Sequence, residues 1–431
     1  MGRLTIPRNA PPVFHVLAKP TGAVCNLDCK YCFFLSKEML YPGSHFRMDD
    51  TLLETYLQQL LEAHRGPEVE VAWQGGEPTL RGLDFFKRAV ELVKRYQRPG
   101  QKVRYTIQTN GTLLDDDWCT FFKENGFLVG LSIDGPRELH DAYRVNKKGQ
   151  GTFDRVRRSW ELLRRHQVEV NILCTVHAAN QDHPLEVYRF FRDELGAEFI
   201  QFIPIVERVT EDMLPVANEG WQQRPGRARP LYTVAGHLVT ERSVQPEQYG
   251  KFLTAVFDEW VHRDVGKVFI QHFDSALANW LRIPGAVCIF APTCGGALAL
   301  EHNGDLYSCD HFVEPAHLLG NIKKSHMIEM IASPQQIRFG LTKRDALPRY
   351  CLECDVRFAC HGECPKNRFI TTPNGEPGLN YLCAAYKAFF HHIDRPMKIM
   401  ADLLRRGRYA DEVMPILAAA EKGKEESPGK S

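Results

Sequence analysis

Between residues 14 and 262 the chain alternates between short apolar runs and amphipathic stretches. Six runs rich in Val, Ile, Phe or Leu, at 14–19, 69–74, 103–109, 128–134, 168–176 and 198–204, predict strands. Most of them run into Gly, Pro, Asn or Asp, the residues that end strands. Amphipathic stretches at 50–64, 82–97, 115–125, 152–166, 184–195 and 246–262 predict helices. In the first of these, Leu52, Leu53, Leu57, Leu60 and Leu61 share one helical face. Six β–α units in series imply parallel strands joined by right-handed crossovers. The fold class is therefore α/β, and six units rather than eight predict a partial (β/α)6 TIM-type barrel. Chemistry in such folds sits at the carboxyl ends of the strands.

Beyond that series the pattern breaks. Residues 207–245, rich in Gln, Arg, Gly and Pro around 218–229, read as an insertion or lid loop. Residues 285–385 have little periodicity and many Gly and Pro, so metal rather than a large core is expected to fix their fold. The chain looks helical from 386 to 421 and ends, from 421 to 431, in a solvated tail. The expected division is a barrel at 1–262, a cysteine-rich domain at 263–385, and a helix with a disordered tail at 386–431.

A chain of 431 residues has room for a barrel-type domain and a second unit. Hydrophobic residues at 44% and charged residues at 25% are ordinary for a globular protein. A net charge of +1 gives no reason to expect a nucleic-acid partner or a membrane surface. No apolar run reaches the about 18 residues that a membrane span needs. The start has no hydrophobic signal core, and Ile6 breaks the myristoylation pattern. A cytoplasmic location is expected.

Thirteen cysteines change the picture, because disulfides are rare where thiols stay reduced. Cys119 and Cys174 stand apart in apolar surroundings and read as free buried thiols. The others cluster: three near the start and eight between Cys288 and Cys383. The spacing Cys25-x3-Cys29-x2-Cys32 supplies three thiolates, one fewer than a closed tetrahedral or cubane site requires. An open coordination position separates a catalytic metal centre from a structural one. A 4Fe–4S cube held this way has one iron free, and the amino and carboxylate groups of S-adenosylmethionine (SAM) can chelate it. The alternative is a zinc loop completed by a distant His or Cys, although zinc sites favour Cys-x2-Cys pairs. In Trp73-Gln-Gly75-Gly76-Glu77-Pro78, two glycines sit where a strand gives way to a loop. They allow close backbone approach to an amine or ribose, unless they form only a turn.

Together the cysteine trio, the interposed Tyr31 and the Gly-Gly-Glu-Pro at 75–78 resemble the radical SAM enzymes. The resemblance implies that Tyr31, Gly76, Ser132 and Arg144 contact SAM, with Ile200 on the sixth strand as a further candidate. Arg144 suits the methionyl carboxylate, because guanidinium pairs with carboxylate in a two-pronged way; a plain surface arginine is the alternative.

The later cysteines, Cys294-x9-Gly304-x4-Cys309, then Cys351-x2-Cys354-x5-Cys360-x3-Cys364 and Cys383, are similar to the SPASM auxiliary-cluster signature. By that resemblance Cys288, Cys294, Cys309 and Cys364 hold one cluster, and Cys351, Cys354, Cys360 and Cys383 hold another. Two four-cysteine zinc sites are the alternative. Residues 14–33, Trp73-Gln-Gly-Gly-Glu-Pro-Thr-Leu, Tyr307-Ser-Cys-Asp-His-Phe-Val and the stretch at 379–390 look like the anaerobic sulfatase-maturating enzymes. This likeness runs from about residue 12 to 400.

Such enzymes oxidise a cysteine or serine of an unfolded sulfatase to Cα-formylglycine. The resemblance therefore implies SAM and three 4Fe–4S clusters, one SAM-binding and two auxiliary. An electron splits SAM to a 5′-deoxyadenosyl radical, which removes a Cβ hydrogen from the target. The substrate radical then loses a proton and an electron. Asp310, directly after Cys309, is the implied general base, which would need burial to bring its pKa near the operating pH. Gln74 is a further candidate for substrate contact, and a flavodoxin or ferredoxin is the implied electron donor. A SPASM maturase that crosslinks a ribosomal peptide is the competing enzyme. A zinc-stabilised binding protein is the non-enzyme alternative. His391 and His392 read as ordinary helix residues.

Overall fold

In the computed structural model, which describes residues 5–221, 229–283 and 287–425, one sheet runs through the molecule. Its centre is six parallel strands in chain order: β1 (His15–Ala18), β2 (Glu68–Trp73), β3 (Lys102–Thr109), β4 (Phe127–Ser132), β5 (Glu169–Val176) and β6 (Phe199–Pro204). The connecting helices are α1 (Asp50–Ala63), α2 (Leu83–Tyr96), α3 (Asp116–Glu124), α4 (Phe153–Arg165) and α5 (Pro184–Arg189). Helix α6 (Pro246–Arg263) follows β6. These elements match the predicted ones closely, because each carries a full period-2 or period-3.6 signal.

Local chemistry sets their ends. Asp49 caps α1 by accepting from the Leu52 N–H at 2.7 Å, and Asp115 caps α3 by accepting from the Trp118 N–H at 3.0 Å. On α1 the leucine stripe, with Tyr56, is fully buried. Each of those leucines stabilises the fold by about 1.5–3 kcal/mol relative to exposure.

Both edges of the six-stranded set are taken by later strands. At one edge β6 pairs in parallel with β7 (Phe269–Ile270). At the other, β1 pairs in parallel with β8 (Ala297–Leu300), which continues antiparallel into β9 (Asp305–Tyr307) and β10 (Leu318–Asn321). The sheet therefore stays open.

Strands β8–β10 come from the segment expected to lack a core. That expectation needs correcting: Leu298, Leu300, Leu306, Met327 and Ile328 are buried in the same cluster as the barrel residues. The remaining long helices are α7 (Gln271–Leu281), α8 (Pro334–Asp345), α9 (Cys383–Arg405) and α10 (Val413–Glu425). Phe389 of α9 stacks on Phe273 of α7 and meets Phe257 of α6 edge-on. Helix α10 takes up the first residues of the expected tail, and 426–431 lie outside the described residues.

The expected lid also differs from its reading. A hairpin pairs Arg208–Val209 with Leu238–Val239, and buried Trp221 packs against Tyr232 with ring centroids 5.0 Å apart. Residues 222–228 of that reading lie outside the described residues. All thirteen cysteines are free, and Cys119 and Cys174 are fully buried as expected. Among the described residues no helix is long and apolar enough to cross a membrane.

Candidate active site

The loop that leaves β1 carries Cys25, Cys29 and Cys32, and a 3₁₀ turn (Phe33–Leu40) follows at once. This loop is held by backbone pairing to the segment after β4. The Asp28 N–H donates to the Val145 carbonyl at 2.9 Å, and the Lys30 N–H donates to the Tyr143 carbonyl at 3.0 Å. The Cys25 sulfur accepts from the Leu27 N–H at 3.3 Å and from Asn110 Nδ2 at 3.6 Å. Burial pushes the Cys29 thiol up to about 12, and its neighbour Cys32 adds to the rise. Cys25 is likewise pushed up by burial and by Glu77, Cys29 and Cys32, and the three cysteines share one packed cluster with Leu27 and Tyr31. Buried thiols of this kind become thiolates only when a cation takes the place of their protons.

The Gly-Gly turn after β2 lies against this loop. The Gly76 N–H donates to the Gly22 carbonyl and the Glu77 N–H to the Val24 carbonyl, at 2.8 and 2.9 Å. A Cβ on Gly76 would overlap the Val24 backbone, one residue before Cys25. Gly76 is thus required for close approach, although the approach observed is to the cysteine loop itself. Buried Glu77 joins the turn to the end of β3 by accepting from Thr79, Thr109 and the Asn110 N–H. Replacing Gly76 by Ala is expected to cost about 1–3 kcal/mol, as overpacking does where neither backbone can yield. Thermal unfolding of the iron-loaded variant measures it, with iron content reporting the displaced loop.

Next to Gly75, Gln74 ends β2 with a buried Oε1 that has no hydrogen-bond partner. An unpaired buried acceptor at a strand's carboxyl end calls for a donor from a bound ligand.

The end of β4 leads into Asp134, which is fully buried. Its carboxylate accepts from Arg144 Nε and Nη2 at 2.8 and 3.1 Å, from the Tyr31 hydroxyl at 2.7 Å and from the Thr175 N–H at 2.9 Å. Burial alone would raise its pKa, but Arg144 and His177 together outweigh it and hold the carboxyl well below the usual range. Arg144 is therefore not a surface residue. It is buried, and its two-pronged pairing is made to Asp134. Tyr31 also accepts from the Thr175 hydroxyl at 3.0 Å, and the Arg144 guanidinium lies 5.5 Å from its ring centre. The Ser132 hydroxyl accepts from Gln108 Nε2 at 2.9 Å on the inner face of the sheet.

Ile200 does not join this group. It shares a strand face with Phe202, whose ring packs on Phe252 of α6, so both side chains point into the helix layer. The residues of β6 that face the other way are Phe199, Gln201 and Ile203.

Asp310 reaches the same strand end from the far part of the chain. Its Oδ1 lies 2.6 Å from Nζ of Lys19, the buried residue that follows β1. The Lys19 ammonium also stands 3.5 Å from Glu301 Oε1 and 3.6 Å from the centre of the Phe34 ring. The expected upward shift of Asp310 is not what the surroundings produce. Burial, the largest single influence, raises its pKa, but Lys19, His311 and Lys37 together more than offset that, and the carboxyl stays below its ordinary value.

The eight later cysteines fall into two groups. Cys309 is pushed up by burial and then by Cys364, and Cys288 adds to it; Cys294 is also raised by Cys288. Cys383 is pushed up to about 11 by burial, with Cys351 and Cys354 adding to it. Burial takes Cys360 to about 12, with contributions from Cys383 and Cys351. Among the described residues, no three His, Cys, Asp or Glu side chains gather closely enough to hold one metal ion.

A model of the Radical SAM superfamily matches residues 20–191, and one of an iron–sulfur cluster-binding domain, SPASM, matches residues 288–355. A serine-type anaerobic sulfatase-maturating enzyme of Bacteroides thetaiotaomicron is 46% identical over 409 residues, covering 95% of this chain and 96% of that one. A cysteine-type anaerobic sulfatase-maturating enzyme of Clostridium perfringens is 33% identical over 384 residues, covering 88% and 96%. The chain belongs to the anaerobic sulfatase-maturating enzymes. A solved structure, native anSMEcpe with bound AdoMet, superposes with a TM-score of 0.76 at 32% identity, over 90% of this chain and 99% of that one.

Family membership brings SAM, a SAM-binding 4Fe–4S cluster and auxiliary clusters in the SPASM part. In this sulfatase-maturating enzyme the residues present fit those groups. Three free thiols share one packed loop cluster, Gln74 keeps an unpaired buried acceptor at the turn against that loop, and eight more free thiols lie in the later segment. Three residues of the site escaped the sequence. Glu77 and Asp134 stand inside motifs that were read for their glycines and their strand ending. Lys19 lay unremarked within the 14–33 stretch, with no local signal of its Asp310 partner.

Proposed function

We propose that this chain oxidises a cysteine or serine of an unfolded sulfatase to Cα-formylglycine, with Asp310 as the base. The observation that carries the reading is the 2.6 Å contact of Asp310 with Lys19. It puts a carboxylate from the cysteine-rich segment at the strand end that launches the three-cysteine loop. The bound cofactors supply the one-electron chemistry that no side chain performs. Cys25, Cys29 and Cys32 would hold the SAM-binding cluster. Cys288, Cys294, Cys309 and Cys364 would hold one auxiliary cluster, and Cys351, Cys354, Cys360 and Cys383 the other.

In this reading the protein's own residues position and deprotonate. Tyr31 and Arg144, fixed by Asp134, shape the wall of the SAM site, with Gly76 and Ser132 beside it. Gln74 offers its unpaired carbonyl oxygen to substrate or SAM. Lys19 keeps Asp310 ionised and aimed, so it accepts the proton from the substrate's sulfur or oxygen. The target must come as extended peptide, because a folded sulfatase would bury it. A flavodoxin or ferredoxin serves as electron donor, in the cytoplasm where these thirteen thiols stay reduced. The working division is a barrel at 1–262, the auxiliary-cluster domain at 263–385 and a helical end at 386–431.

Anaerobic incubation with SAM, reductant and a cysteine-bearing sulfatase peptide tests this by mass spectrometry with hydrazide capture. The expected product is an aldehyde in place of the thiol. A peptide that only loses hydrogen and captures no hydrazide would instead indicate a crosslinking maturase.

A further inference from the structure

Cys360 and Cys364 belong to different groups of four, yet only three residues separate them. All three, His361, Gly362 and Glu363, have left-handed backbones with φ of +49°, +72° and +52°. Such a conformation is uncommon for residues with side chains, and a run of three must be held from outside.

Arg368 does the holding. Its Nη2 donates to the His361 and Glu363 carbonyls at 3.0 and 3.1 Å, and its Nε donates to the Gly362 carbonyl at 2.8 Å. The third nitrogen, Nη1, donates to the Lys343 carbonyl at 2.7 Å. The buried Lys343 ammonium in turn donates to the carbonyls of Cys288 and Ile289, so the chain of contacts returns to the first group. The Glu363 side chain adds a second anchor by accepting from Asn367 and Asn380.

We propose that Arg368 is a positioning residue that locks the Cys360–Cys364 turn and thereby sets the two auxiliary clusters in a fixed relation. The proposal rests on the reading of the eight cysteines as two iron–sulfur sites. Only a planar fork reaches four carbonyls at once; an ammonium on a flexible stem keeps the charge but not the geometry. Because the turn supplies one thiolate to each site, loosening it disturbs both together.

The test uses the full chain with Cys25, Cys29 and Cys32 changed to Ala, which leaves only the auxiliary sites to bind iron and removes activity as a readout. Reconstituted under anoxia, this background carries about eight irons per chain. Far fewer would remove the reading beneath the proposal before Arg368 is touched. Into it go Arg368→Lys and Arg368→Gln. Both are expected to release iron to a chelator about tenfold faster or more, the usual effect of losing an outer partner of a metal site. Both are also expected to alter the electron paramagnetic resonance signals of the two reduced clusters.

Parent-like behaviour of both variants would overturn the proposal. So would a parent-like Lys variant beside an impaired Gln variant, since charge alone would then suffice. Disturbance confined to one cluster would overturn it as well. If Arg368→Gln fails to fold by circular dichroism, Gly362→Ala decides together with the Lys variant. A Cβ there would overlap Leu347 Cδ2 and meet Arg368 Nη2 at 2.7 Å, and the left-handed backbone disfavours it, so the turn and its guanidinium clamp must shift.

Discussion

Replacing Asp310 by Asn lowers formylglycine formation by about 10²–10⁴-fold, the contribution typical of a positioned general base. The substitution keeps the shape of the side chain, so the loop after Cys309 and the iron content stay as they were. It removes the proton acceptor, and it leaves Lys19 with the Glu301 carboxylate at 3.5 Å as its charged neighbour. SAM cleavage depends on residues in the barrel half and continues. The variant therefore produces deoxyadenosine far in excess of aldehyde. Chromatography of the nucleoside beside mass spectrometry of the peptide measures the ratio. Undiminished aldehyde with intact clusters would take Asp310 out of the role.

The largest loss of stability is expected from Asp134→Ala. Its carboxylate is the acceptor for Arg144, Tyr31 and the Thr175 N–H, all inside the protein. Removing it strands the Arg144 charge in a buried site, which costs about 3–5 kcal/mol. The same change frees Tyr31, one residue before Cys32, so the N-terminal cluster becomes labile. Urea unfolding under anoxia measures the stability. The double variant Asp134→Ala/Arg144→Leu is expected to recover part of the loss, because no buried charge is left unpaired. A double variant as unstable as the two single losses summed would show that the two residues do not act as a pair.

Elements with their own periodicity were legible in the chain. The six strands and helices of the barrel carry enough alternation or helical spacing to be read without their neighbours. Strands β8–β10 are only three or four residues long, and pairing with β1 and with one another rather than local pattern makes them strands. The same limit explains the 207–245 segment. Its Gln, Arg, Gly and Pro suggested a loose loop, while Trp221 and Tyr232 form a small core with Val209 and Ala217.

At the site, cysteine spacing was the strongest local signal, while the division of the eight later thiols into two sets came from the family resemblance. Ile200 was misplaced although strand alternation could have put it with Phe202 against the helices. Arg144 was read for its chemistry alone. Its partner Asp134 is ten residues away, and Tyr31 lies 103 residues from that carboxylate. Lys19 and Asp310 come from opposite ends of the chain, and no local pattern links them.

The most direct measurement follows one hydrogen. A sulfatase peptide whose target cysteine carries deuterium at Cβ is incubated without oxygen with the enzyme, SAM and reductant. The account predicts deoxyadenosine carrying one deuterium for each aldehyde formed, and none of either product when Cys25, Cys29 and Cys32 are replaced by Ala. Aldehyde accompanied by unlabelled deoxyadenosine, or aldehyde made by the triple variant, would contradict it.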